Sequence, residues 1–182
     1  MRERHSAAGF TLIELLIVVA IIGIIAAIAV PGLLRARMSA NESSALGSLR
    51  VINNAQQVYY SSCGNGFYAS TLPILGDAPS GGMPFVSPDL SSAISVDKSG
   101  YRFTMARGSE ATAAVNNGCN PLGVAAALFS SYYASNNPLV PDLTGRRWFW
   151  TNTLFTIYFS DTDVFGGATV GNAQPGVGAA IQ

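Results

Sequence analysis

Residues 15–30 read LLIVVAIIGIIAAIAV, a run with no charge and no polar side chain. Extended back to Phe10 and on to Leu34, the segment holds one ionisable group, the carboxyl of Glu14. As a helix this stretch rises about 37 Å, more than the roughly 30 Å hydrocarbon core of a bilayer. Such a run must enter lipid or the interior of an apolar assembly. Ahead of it lies MRERHSAAG, short and slightly basic, which favours a cytoplasmic N-terminus.

The rest of the composition removes whole classes of function. Charged residues are 11% of the 182-residue chain, against about 25% in ordinary soluble domains, while 49% are hydrophobic. That balance opposes disorder. Ten basic residues match ten acidic ones, so the basic surplus of a general nucleic-acid binder is missing. His5 and Lys98 are alone of their kinds, and the cysteines are Cys63 and Cys119. No P-loop, zinc-ligand spacing or G-x-S-x-G motif appears. The expectation is a protein that is not an enzyme, with no metal and no cofactor.

Three readings of the N-terminus compete. One is a plain single-span anchor. A second is a secretory signal peptide, with Ala27-Ile28-Ala29 as an A-x-A site. Against it stand the length of the run, Glu14 near its start, and Pro31 just past the cut. The third explains Glu14 as well. A carboxylate in a spanning helix costs about 2.5–3.5 kcal/mol on insertion scales and should have a partner. Arg2 and Arg4 precede Gly9, and Arg35 lies roughly 30 Å along the helix. Cleavage between Gly9 and Phe10 would create a cation, the α-amino group of Phe10, one turn from Glu14 or available from a neighbouring chain.

Gly9-Phe10-Thr11-Leu12-Ile13-Glu14, the apolar run and Pro31 together resemble the processing site and stem of type IV prepilins. The likeness covers residues 6–60 closely and the remainder loosely. It implies cleavage after Gly9 by a prepilin peptidase, N-methylation of Phe10, and pairing of Glu14 with the N-terminal amine of an adjacent subunit during assembly. It implies residues 1–9 as leader and 10–34 as transmembrane and filament-core helix. Residues 35–61 continue the helix, and 62–182 form the head. The leader lacks the Lys often seen there and carries Arg2 and Arg4 instead.

Past Pro31 the apolar residues Leu34, Met38, Ala45, Leu49, Ile52 and Tyr59 recur at helical spacing, with Asn41 and Gln56 on the missing beats. Arg35, Arg37, Arg50, Asn53, Asn54 and Gln57 lie between them. The pattern predicts one helix over residues 10–61. Pro31 removes a backbone donor from the carbonyl of Ala27 and, with Gly23, marks a kink. The resemblance implies instead that residues 23–31 loosen on filament packing. No aromatic residue stands between Phe10 and Tyr59, which excludes an electron path of stacked rings along the stem.

The fold class expected is α+β: a long helical spine against a roughly four-stranded antiparallel sheet. Residues 62–99 form a connector, the αβ-loop of the family, with short helices near 70–75 and 88–93. Residues 101–105, 128–134, 146–150 and 154–159 read as strands, the last two joined as a hairpin across residues 151–153. The sheet region is 100–165, and the Gly/Ala-rich residues 166–182 form an irregular tail. Cys63 and Cys119 are either bridged, closing a loop worth about 4 kcal/mol, or two buried thiols. Asp161, Asp163 and Gly166 have the opening spacing of a calcium loop, but Phe165 and Asn172 occupy ligand positions, so a solvated turn is expected. Arg146 and Arg147 beside Trp148, Phe149 and Trp150 could stack on nucleic acid, yet strand alternation would divide them between two faces.

The reading that follows is a type IV pilus subunit that first sits in the inner membrane with its head outside the cytoplasm, and later in a surface filament. Its expected partners are itself and other pilins, prepilin peptidase, the assembly platform and motor, and membrane lipid, with no nucleic acid. A pseudopilin of type II secretion is the alternative; a membrane-anchored binding module that never polymerises is a third.

Overall fold

The computed structural model describes residues 9–108, 111–163 and 179–181. The chain divides into two units, Met1–Arg37 and Met38–Gln182. Helix α1 (Leu12–Ser62) supplies residues to both. In the first unit, residues 9–37 are exposed throughout, and this end of α1 holds a window of mean hydropathy 3.1 with none of it buried. The helical state continues through Gly23 and Pro31.

In the second unit α1 buries one face: Ala45, Ser48, Leu49, Ile52, Asn53, Ala55, Gln56 and Tyr59. It ends in a turn where Asn65 and Gly66 take φ of 51° and 83° and the Gly66 amide returns to the Tyr60 carbonyl at 3.1 Å. Then come β1 (Tyr68–Ala69), α2 (Leu72–Gly76), α3 (Pro88–Ser91), β2 (Ser95–Lys98), β3 (Tyr101–Arg107), β4 (Leu128–Phe129), β5 (Tyr132–Pro138), β6 (Trp148–Asn152), β7 (Ile157–Ser160) and β8 (Ala179–Ala180). The main sheet is antiparallel in the order β2-β3-β5-β6-β7-β8, and β1 pairs with β4 separately. A long N-terminal helix packed on antiparallel sheets is the α+β architecture that the sequence predicts.

Register decides which residues face the helix. Phe103 stands opposite Asn136 and Asn136 opposite Phe149; Met105, Ala134, Thr151 and Ile157 align in the same way. Cross-strand partners share a face, so these form the inner layer. They close on Leu49, Ile52 and Tyr59 to make the core.

Three expectations are corrected. The main sheet has six strands among the described residues rather than four, because Ser95–Lys98, placed in the connector, pairs along Tyr101–Arg107, and Ala179–Ala180, placed in the irregular tail, pairs with Phe159 and Tyr158. The 128–134 run is two strands in two sheets: Leu128–Phe129 joins β1, and a new strand starts at Tyr132. Its second half, Ser135-Asn136-Asn137-Pro138, has loop composition but pairs throughout with β3, and Ser135 and Asn136 pair with β6 as well, a tertiary override of propensity. The hairpin turn falls after Asn152, since Thr151 and Asn152 pair with Ala134 and Tyr133.

Polar side chains of α1 fasten these layers. Gln56 is fully buried and treats β1 as a strand would: its Nε2 donates to the Ala69 carbonyl at 2.7 Å and its Oε1 accepts the Ala69 amide at 3.1 Å. Asn53 accepts from the Tyr132 hydroxyl at 3.0 Å and the Thr151 hydroxyl at 2.9 Å, and donates to the Phe155 carbonyl at 3.1 Å. Asn41 donates to the Thr144 carbonyl at 2.9 Å. Gln56→Ala strips both partners from a buried peptide unit, each worth about 1–3 kcal/mol when left unsatisfied. The expected loss is about 2–4 kcal/mol, read from the denaturant midpoint of near-UV circular dichroism on the full chain in detergent.

Candidate assembly segment

The chemistry-bearing residues of the first unit sit at the start of α1. Gly9 and Phe10 precede the helix and are exposed, Phe10 at 78%. Thr11 is the residue before the first helical turn, and Glu14 stands three positions on. The Glu14 Oε2 accepts the Thr11 amide at 2.8 Å and the Thr11 hydroxyl at 2.6 Å, while the Glu14 amide donates back to the Thr11 hydroxyl at 3.3 Å. This reciprocal set is a capping box, and it fixes both where α1 starts and which way the carboxylate points. The sequence carries its signal as Thr-x-x-Glu. Thr11 brings hydrogen bonds and no charge. No ion pair to Glu14 occurs among the described residues.

Beyond Glu14 the helix presents Leu15, Ile17, Val18, Ile21, Ile24 and Ile28, each at least half exposed. Gly23 has nothing within 4 Å of where a Cβ would stand, so no contact inside the chain requires glycine there.

Residues 4–30 match the family described as the prokaryotic N-terminal methylation motif. The N-terminal segment carries a prepilin-type motif. Over 53 residues it is 49% identical to the type IV major pilin protein PilA of Myxococcus xanthus, covering 29% of this chain and 24% of that protein. Over 55 residues it is 50% identical to the type IV wide pilus major component PilA4 of Thermus thermophilus, covering 30% and 42%. Over 59 residues it is 34% identical to the type II secretion system core protein G of Escherichia coli, covering 32% and 41%. The chain therefore spans less than half the length of each of these relatives. No solved structure matches the chain.

In the head, Cys63 and Cys119 form a disulfide, with Cα atoms 4.8 Å apart. Of the two states the sequence allowed, the bridged one is present. Cys63 is 3% exposed and Cys119 lies at the surface. Beside it Asn120, buried, accepts the Tyr59 hydroxyl at 2.9 Å and donates to the carbonyls of Ile74 at 2.7 Å and Asp77 at 2.9 Å. Burial, with the Asp77 carboxylate nearby, pushes the Tyr59 phenol up to about 12. The disulfide thus joins α1 to the loop that holds Asn120.

The remaining sequence candidates separate. Phe149 and Trp150 are buried in the sheet, and Arg146 and Arg147 approach Asp142 at 3.2 Å and Asp161 at 3.9 Å. Asp163 is described, whereas Phe165, Gly166 and Asn172 of the calcium-loop pattern lie outside the described residues, as does most of the 166–182 tail.

Proposed function

We propose that this chain is a structural subunit of a type IV pilus filament. It enters the inner membrane as a prepilin with its head outside the cytoplasm. Prepilin peptidase cleaves after Gly9, Phe10 is N-methylated, and subunits polymerise through their apolar stems into a surface fibre. The new α-amino group of Phe10 in one subunit neutralises Glu14 of another. The observation that carries this reading is a carboxylate held by an uncharged residue at the start of a wholly exposed apolar helix. A charge so placed is costly in lipid until a cation arrives. The assembly platform and motor are separate proteins, and the chain itself performs no catalysis.

The test is the intact mass of the chain isolated from cells. The expected species begins at methylated Phe10 and is recovered from sheared surface fibres. A native chain that still carries residues 1–9 overturns the reading.

A second reading, a pseudopilin of type II secretion, is favoured by the likeness to the core protein G of Escherichia coli. Loss of secreted enzymes with fibres intact, in cells lacking the chain, selects it.

A further inference from the structure

Arg50, Asn54 and Gln57 follow one another at i, i+4 and i+7 on the outer side of α1. Their side chains make no hydrogen bond or ion pair among the described residues. All three line one cleft of about 400 Å³ in the head, at the small end of the roughly 300–1,000 Å³ range of ligand sites. Among the described residues, no Asp or Glu lines it. A permanent cation and two uncommitted amides on one wall, with no acidic side chain among the described lining residues, select an oxyanion.

Phe155, Ile157 and Ile181 supply the apolar part of the lining, with Asn53 and Thr156 beside them. This part is also held rigidly. Phe155 has φ 58°, a strained value for a bulky residue, which persists only where the surroundings over-determine it. Here its amide donates to the Asn152 carbonyl at 2.9 Å, its carbonyl accepts from Asn53 at 3.1 Å, and its ring packs 6.3 Å from Tyr68 and 6.4 Å from Tyr132. Backbone strain of this kind clusters at ligand sites.

We propose that this cleft binds a compact carboxylate carried on an apolar body. The planar fork of Arg50 pairs with the carboxylate, a match of geometry as well as charge. Asn54 and Gln57 donate to its remaining lone pairs. Ile157, Ile181 and Phe155 cover the apolar portion; Asn53 is already engaged, so among the described lining residues the Thr156 hydroxyl alone is left for the several hydroxyls of an acidic sugar. The site lies in the head and stands independently of filament assembly.

The test follows the side-chain amide signals of Asn54 and Gln57 in the full ¹⁵N-labelled chain in detergent micelles. The titrants are N-acetyl-leucine at neutral pH, its uncharged amide, and galacturonate. The expected result is saturable shifts with N-acetyl-leucine at a Kd of about 1 mM, a value ordinary for a small ligand on an open site. Binding is about tenfold weaker or absent with the amide, with galacturonate, and in Arg50→Gln, whose other signals stay in place. Partition of the ligand into micelles would act alike on the acid and its amide. The proposal is overturned by absence of saturable shifts, by equal response to the amide, by full binding in Arg50→Gln, or by tighter binding of galacturonate.

Discussion

Glu14→Ala is expected to leave the chain in the membrane and, on the proposed function, to abolish the filament. Insertion is made easier, because a carboxylate costing about 2.5–3.5 kcal/mol leaves the spanning helix. In the proposed assembly, the attraction between Glu14 and a neighbour's α-amino group is lost. A deficit of only about 1.4 kcal/mol per contact raises the concentration needed for assembly about tenfold, and a pair at 4 Å in surroundings of intermediate polarity is worth more, about 4 kcal/mol. The capping box complicates a bare alanine result, since Ala deletes the cap and the charge together. Two further variants separate them. Glu14→Gln keeps a side chain that can close the box but has no charge. Thr11→Val keeps the charge and breaks the box. Fibre yield by shearing, set against chain content of the membrane fraction, is expected to collapse in Glu14→Gln as in Ala and to fall only partly in Thr11→Val. Wild-type yield from Glu14→Gln would mean that the carboxylate serves the helix start alone.

Joint replacement of Cys63 and Cys119 by Ser is expected to cost the head about 4 kcal/mol, the chain-entropy value for a closed loop of this size. The bridge spans 56 positions, so the unfolded chain regains much freedom when it is absent. The loop on the Cys119 side also carries Asn120, which ties Tyr59 of α1 to the carbonyls of Ile74 and Asp77. The denaturant midpoint of the full chain in detergent, compared with wild type under oxidising and reducing conditions, reads the loss. Reduced wild type is expected to match the double variant. A loss below about 1 kcal/mol would mean that Asn120 and its partners hold the loop without the bridge.

The sequence was most legible where one dimension suffices. The apolar run, Glu14 at its head, and the helical recurrence of Ala45, Leu49, Ile52 and Tyr59 are local patterns, and the structure places all four of the latter in the core. Glu14 is legible as a lone acid beside an apolar run; that the Thr11 amide and hydroxyl hold it depends on where the helix starts. Asn53 was set among the solvent-facing residues of the helix and is 6% exposed instead. Nothing in its own neighbourhood announces that. Its partners Tyr132, Thr151 and Phe155 lie some eighty to a hundred positions away, and only their convergence makes burying an amide affordable.

The same division accounts for the strands. Residues 101–105 alternate strongly and were recognisable from sequence alone. Ser95–Lys98 and Ser135-Asn136-Asn137-Pro138 are strands because of what lies beside them. By itself, the sequence determined that this protein has an exposed apolar helix of the prepilin kind with one acid at its start, since hydropathy and helical period are carried by neighbours along the chain. Tertiary structure alone decided the six-stranded sheet, the amides that bolt α1 to it and the cleft beside Arg50. Backbone pairing and polar satisfaction depend on groups that become neighbours only on folding.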